Sequence, residues 1–314
     1  MPTVETALGP IETTNLGFTL SHEHIISGTL SIRLNWPHLF NREEAIILAR
    51  EKLNEAYEAG VRTVVDLTTF DLGRDVATIR EVAEGTKMQI ILATGIHLRI
   101  PRYFERKVPD HIVELFVMDI EEGIAGTGVK AAAIKVATED EVTPQIELML
   151  RAAALTHRAT GAPIMTHSNP FIGTGTNQQD IFEEEGVDLS RVVIGHSGDT
   201  EDLDYLTGIM DRGSTIGMDR YGTHLGADTE KRTDVIAKLC RRGYADRMVL
   251  SHDASSFSLN MPSHIRAERF PEWNYLTIPT KVIPGLVKRD IPAEQIETLT
   301  TRNLRRIFEQ QRSY

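Results

Sequence analysis

The chain has 314 residues, 41% hydrophobic and 25% charged, enough to bury a substantial core in one large domain without disulfide or metal staples. Its 34 basic and 45 acidic side chains give a formal charge of −11, which argues against nucleic acid or an anionic membrane as a partner, since both need a basic surface. No stretch approaches the ~18 consecutive apolar residues of a membrane span. The opening MPTVETALGPIETTNLG lacks the charged and apolar regions of a signal peptide, and the lone Cys240 excludes an intrachain disulfide, so the expected location is cytoplasmic.

Short apolar, β-branched runs recur along the chain. They end near Glu23, Leu67, Gly95, Lys135, His167, His196, Asp219 and Asp253, at separations of 23 to 44 residues. Helical patterns fill the intervals. EEAIILAREKLNEAYEAG has apolar residues at helical spacing and stops at Gly60. PQIELMLRAAALTHRATG opens on Pro144 and closes on Gly161, the expected asymmetry of a helix. QQDIFEEEGVD and EDLDYLTGIMDRG follow the same pattern. Runs such as TVVDL, QIILATG and RVVIGH are nearly all apolar, as strands covered on both faces are. Eight strand–helix units need about 250 residues. The pattern therefore predicts a (β/α)8 TIM barrel, one domain over residues 1–314, with the catalytic site at the C-terminal ends of the strands. GIAGTG at 123–128 precedes a strand instead of opening a helix, so it is no phosphate-binding loop. Cys240, in DVIAKLCRRGY, reads as a small apolar residue on a helix face.

Several strand ends carry chemistry. FTLSHEH, AAAIKVA, PIMTHS, RVVIGHS and RMVLSHD bring His22, His24, Lys135, His167, His196 and Asp253 to one mouth. His22 and His24 are two apart on a strand and point to one side. Imidazole and carboxylate donors suit Zn first, with Co, Mn or Fe as alternatives, and disfavour Ca or Mg. Five such ligands exceed what one catalytic zinc takes while keeping an open position, and two ions resolve the excess. Lys135 lies in an apolar run. Its ordinary reading is a snorkelling or ion-paired side chain. A buried lysine, however, loses its proton readily, and the neutral amine adds carbon dioxide to give an anionic N6-carboxylysine that bridges two cations. Two divalent ions lower the pKa of a shared water from 15.7 towards roughly 7, giving a nucleophile at neutral pH. Asp253 then ligates one ion and takes up the proton. Lys135 and Asp253 are thus the predicted catalytic residues.

These residues, and the segments around them, resemble the phosphotriesterase family of the amidohydrolase superfamily, and within it the phosphotriesterase-like lactonases. The likeness runs end to end through GFTLSHEH, FDLGRD, ATGI, IKVAT, TGAPIMTHS, EEEGVDLSRVVIGHSGDT, MDRYG, SHDA and NLRRIF. It implies a homodimer, with His22, His24 and Asp253 on a buried metal, His167 and His196 on an exposed one, and carboxylated Lys135 between them. Arg220, in MDRYG, stands where the family's lactonases carry arginine and its efficient organophosphate hydrolases carry histidine. Asp199 matches the outer aspartate of the latter's proton relay. His97 follows ATGI where the lactonases usually place tyrosine. Ser255-Ser256-Phe257 follows HDA where they tend to have cysteine. His97, Arg220, Phe257 and Trp273 are the expected substrate-binding residues. Phe257, Leu259, Met261 and Trp273 either line an acyl-chain channel or pack their loop down.

The resulting expectation is a binuclear hydrolase that opens lactones, such as N-acyl homoserine lactones, with promiscuous organophosphate triesterase activity. A primary phosphotriesterase, or a carboxyl-ester or amide hydrolase on the same centre, is the alternative. A non-catalytic binding protein would require a lost ligand, and all six are present.

Overall fold

The computed structural model describes residues 1–104, 106–223, 225–309 and 313–314, with only the backbone of Ser263. The chain opens with an antiparallel hairpin, β1 (Thr3–Thr6) and β2 (Gly9–Glu12). A parallel sheet follows: β3 (Thr19–Ser27), β4 (Thr63–Asp66), β5 (Gln89–Gly95), β6 (Ala133–Ala137), β7 (Ile164–His167), β8 (Val192–Ile194), β9 (Thr215–Met218) and β10 (Met248–Leu250). Each strand of this series pairs with the next in parallel register. A last short strand, β11 (Ser255–Ser258), pairs in parallel with β3, Ser255 opposite His24 and Phe257 opposite Ile26. The (β/α)8 barrel thus closes through a split eighth strand: β10 faces β9, β11 faces β3, and residues 251–254 break the ladder between them.

The layer outside the barrel includes α1 (Leu30–Asn35), α2 (Arg42–Glu58), α3 (Val76–Glu84), α4 (Pro109–Glu121), α5 (Pro144–Thr160), α6 (Thr174–Glu184), α7 (Leu203–Asp211) and α8 (Thr229–Arg241), followed by α9 (Ser263–Arg269). Local chemistry sets their ends. Asn41, Asp75, Thr143, Asp202 and Asp228 each accept a backbone N–H in the first turn of α2, α3, α5, α7 and α8, worth about 1 kcal/mol apiece. Gly161 ends α5 with a left-handed φ of 79°. α2 buries Ala45, Ile46, Ala49, Leu53 and Ala56 on one stripe, as its sequence spacing requires. Cys240 is buried on α8, and burial pushes its thiol up to about 11. Among the described residues no helix is long and apolar enough to cross a membrane.

Inside the barrel, the two-residue period of a strand decides what faces the axis. Val65, Ile91, Ala133, Met165, Val193 and Val249, one from each of six strands, cluster with Val4 of the hairpin and with Leu304, Ile307 and Phe308 near the C-terminus. This plug fills the N-terminal end. One period further up, the same faces carry Leu67, Ala93, Lys135, His167, Gly195 and Ser251. Leu67 and Ala93 still belong to the plug, while Lys135, His167 and Ser251 bring in the first polar side chains. Lys135 was expected at a strand end, but it lies in mid-β6, opposite Gly95 of β5 and Met165 of β7. His196 and Asp253 lie beyond the ends of β8 and β10.

Gly95 has φ +107°, and a Cβ there would come within 2.0 Å of the Lys135 carbonyl oxygen. Gly95→Ala is expected to destabilise the fold by on the order of 3 kcal/mol, from the backbone strain and the displacement of β6, read as a lower urea midpoint at unchanged slope.

Candidate metal centre

Three imidazoles aim the same ring nitrogen at one carboxylate. The Nε2 atoms of His22, His24 and His196 lie 3.6, 3.2 and 3.7 Å from Asp253 oxygens. The opposite nitrogen of each ring is held. His22 Nδ1 and His196 Nδ1 meet Asp219 at 3.1 and 2.8 Å, and His24 Nδ1 meets Thr68 Oγ1 at 2.8 Å. Fixing Nδ1 in this way sets ring orientation and leaves Nε2 free to act as a donor to a cation. His196 Nε2 is buried with no hydrogen-bond partner among the described residues, a condition a coordinated ion would relieve. Among the described residues two groups have the spacing to hold an ion: His22, His24 and Asp253, and His22, His196 and Asp219. Because Asp219 is already engaged by both Nδ1 atoms and by the His196 N–H, its contacts suit it to orienting the rings.

Beneath them Lys135 is fully buried. Its Nζ sits 2.9 Å from His22 Nε2 and 3.4 Å from the Thr166 carbonyl oxygen, with no carboxylate in ion-pair contact among the described residues. Burial lowers its pKa to about 7, although Asp253 and Asp219 pull the other way. Burial likewise holds His22, His167 and His196 below the ordinary histidine value, so these rings are neutral at pH 7, the form that ligates metals. Burial opposes the charge on Asp253, but His196, His22, the His24 contact and Arg220 outweigh it and keep the carboxyl well below its usual range.

His167 stands against the others, its ring 4.4 Å from that of His196. Both its nitrogens have protein partners: Arg220 Nη2 lies 3.4 Å from Nδ1, and Glu139 meets Nε2. Arginine can only donate, so Nε2 carries the proton in this arrangement. A cation at His167 must displace one of these partners. Arg220 also donates to Asp253 at 3.1 Å and to Asp199 at 2.9 Å, while the buried Arg232 holds the other Asp199 oxygen at 2.7 Å. His196, Arg220 and Asp253 all have left-handed backbones, with φ of 61°, 65° and 54°. Such strain in non-glycine residues collects at functional sites. Here it turns side chains that follow strand ends back over the barrel axis.

A sequence model of the phosphotriesterase family matches residues 2–308. The chain belongs to the phosphotriesterase family. A phosphotriesterase homology protein of Mycobacterium tuberculosis is 43% identical over 100% of both chains, and an aryldialkylphosphatase of Saccharolobus solfataricus is 38% identical over 95% of this chain and 96% of that one. The structure of the phosphotriesterase from Mycobacterium tuberculosis superposes on 100% of both chains with a TM-score of 0.97 at 42% identity. The protein is accordingly a metal-dependent hydrolase of a family that works with two metal ions.

Within this phosphotriesterase-family barrel, a cleft of about 160 Å³ opens over the centre. His24, Ser27, Leu72, His97, His167, Arg220, Asp253 and Asn260 line it. His97 thus reaches the site. Its N–H donates to Asp71, its ring is edge-on to His167 at 5.0 Å, and burial followed by the charge of His167 lowers its pKa to about 2. Phe257 and Trp273 do not line this cleft. Phe257 packs edge-on against Phe40 at 5.5 Å, in the layer outside the barrel. Trp273 donates from Nε1 to the His252 carbonyl oxygen and lies edge-on to Phe270. Both contacts fasten the eighth loop, which is the packing role the sequence left open for them. Leu72 and Asn260, which the sequence did not single out, stand at the cleft.

Sequence reasoning also missed Glu23 and His252, although both sit inside its key motifs. Glu23 is fully buried and accepts from Ser251 Oγ, the His252 N–H, the His252 ring and the Ala254 N–H, at 2.7 to 3.0 Å. One carboxylate thereby holds the whole break that carries Asp253. The signal was a charged residue between two histidines on a strand that is otherwise buried.

A depressed lysine pKa has a definite stability signature. Between about pH 7 and 10 the unfolded chain binds a proton at Lys135 that the folded chain does not. Stability of the metal-free protein should therefore rise with pH, by about 1 kcal/mol per unit relative to Lys135→Met, and the difference should level off below about pH 7. Paired denaturant titrations across that range read it directly.

Proposed function

We propose that this protein is a binuclear metal hydrolase that opens lactones, N-acyl homoserine lactones among them, with organophosphate triesters as secondary substrates. The convergence of three held imidazoles on Asp253 above a buried Lys135 carries the reading. The donor set fits two divalent ions. His22, His24 and Asp253 would hold one, His167 and His196 the other, with Lys135 as its N6-carboxy derivative between them; Zn suits these donors best, and Co, Mn or Fe are compatible. The depressed Lys135 pKa supports that derivative, since a neutral amine forms the N–C bond to carbon dioxide, loses a proton and becomes an anion with two donor oxygens. The bound ions supply Lewis-acid charge that acidifies a water and polarises the scissile group.

The chain's own residues do the rest. Asp253 is ionised at neutral pH and sits at the focus of the site, where it accepts a proton from the attacking water. Arg220, braced by Asp199 and Arg232, orients Asp253 and puts a permanent positive charge at the cleft, complementary to the carboxylate that ring opening creates. His97 presents a neutral imidazole as a hydrogen-bonding wall.

The cleft of about 160 Å³ opens to solvent and admits a small ring with its acyl tail running outwards, and Arg220 on its wall supplies the charge that a lactone's product carboxylate calls for. We place the enzyme as a homodimer, supported by exposed apolar side chains at Leu34, Trp36, Leu39 and Tyr103 near the barrel mouth.

The test is a panel of acyl lactones, aryl triesters and acyl amides on metal-loaded protein whose metal content is measured on the same sample. Lactones should give a kcat/KM at least about tenfold above the rest, and Asp253→Asn should lower it by roughly 10²- to 10⁴-fold. Rapid triester cleavage with inert lactones would reverse the assignment.

A further inference from the structure

A second cavity, of about 260 Å³, lies between α2, β11, α9 and residues 270–276, and it shares no wall residue with the cleft over the metal centre. Phe270, Trp273, Tyr275 and Leu276 give it an aromatic and aliphatic wall. Two cations meet at its edge. Lys52 Nζ donates to the Ser256 carbonyl oxygen at 2.7 Å, and Arg266 Nη2 donates to the same oxygen at 3.3 Å.

This pair is under-satisfied. Arg266 is only 5% exposed, its guanidinium 5.8 Å from the Trp273 ring, yet among the described residues neither it nor Lys52 has a carboxylate in ion-pair contact. Arg33 and Arg232, comparably buried, each meet an aspartate at 2.7 Å. Glu55 also lines the cavity; it and Glu51 favour the charge on Lys52 from a distance without pairing to it. Burial, and then Arg266, brings Lys52 down to about 8, and burial lowers Arg266 as well. Buried cations are ordinarily paired, and a guanidinium presents a planar set of donors matched to a carboxylate.

We propose that this cavity binds a compact amphiphilic monocarboxylate, its head on Lys52 and Arg266 and its apolar body against Phe270, Trp273 and Leu276. The volume accommodates on the order of ten non-hydrogen atoms at ~30 Å³ each. Octanoate is a probe of that size. The site is separate from the hydrolytic centre and does not depend on which substrate that centre takes.

The chain has two tryptophans, so Trp36→Phe leaves Trp273 as the only tryptophan, which excitation at the red edge selects over tyrosine. In that background, metal-loaded protein should show a saturable change in Trp273 emission with octanoate and none with octanamide. Arg266→Gln and Lys52→Gln should each weaken octanoate at least tenfold, and Asp253→Asn should leave it unchanged. Lys52 is only half-buried, so its variant carries the test if Arg266→Gln fails to fold. The proposal is overturned by no saturable response up to about 10 mM, a Kd weaker than any specific site of this kind. It is equally overturned by unchanged affinity in the Lys52 variant, or by binding lost only in Asp253→Asn, which would place the carboxylate on the metal centre.

Discussion

A fully buried lysine with no carboxylate in contact among the described residues is the constraint on which the rest of the site depends. Lys135 stands one strand period above an apolar plug, and its amine touches only an imidazole nitrogen and a carbonyl oxygen among the described residues. A charged ammonium there would lack the pairing that burial demands. The barrel responds by depressing its pKa and surrounding it with neutral histidines. The same lack of charge compensation makes the position receptive to a modification that turns the cation into an anion, and it makes the region above receptive to metal ions.

The surrounding layers serve to hold that arrangement. Asp219 ties down two rings, Thr68 a third, and Glu23 the break in the eighth strand from which Asp253 projects. The chain Arg232–Asp199–Arg220–Asp253 links an internal arginine to the carboxylate at the focus. Asp219 and Thr68 fix Nδ1 atoms and leave the Nε2 atoms turned to the centre, whereas at His167 Arg220 and Glu139 take both nitrogens. His167 is thus the predicted ligand with both ring nitrogens taken, while His22 Nε2 meets the Lys135 amine and Asp253 accepts from Arg220.

Much of the fold was legible because parallel strands buried on both faces write themselves as continuous apolar runs, and TVVD, QIILATG and IMTH proved to be strands β4, β5 and β7. The six centre residues were legible because each interrupts or terminates such a run. What the sequence left out follows from the same physics. Pattern gives the face on which a strand residue lies, but not the direction of a loop side chain, and so the sequence left open whether Phe257 and Trp273 face substrate or pack their loop, whereas the structure shows the contacts by which they pin it. Pattern also does not reveal partners distant in sequence: Glu23 finds residues 251–254 only when the barrel closes. The split of the last strand was hidden because SHDA reads as its plain continuation.

The most direct test of the account is the number of tightly bound divalent ions per chain in wild-type protein and in Lys135→Met, each loaded with excess zinc and carbonate and then desalted. The account predicts two ions in the wild type and no more than one in the variant, because a carboxylated Lys135 would supply the anionic charge that two cations in one site would need. Two ions in both proteins, or a single ion in the wild type, would contradict it.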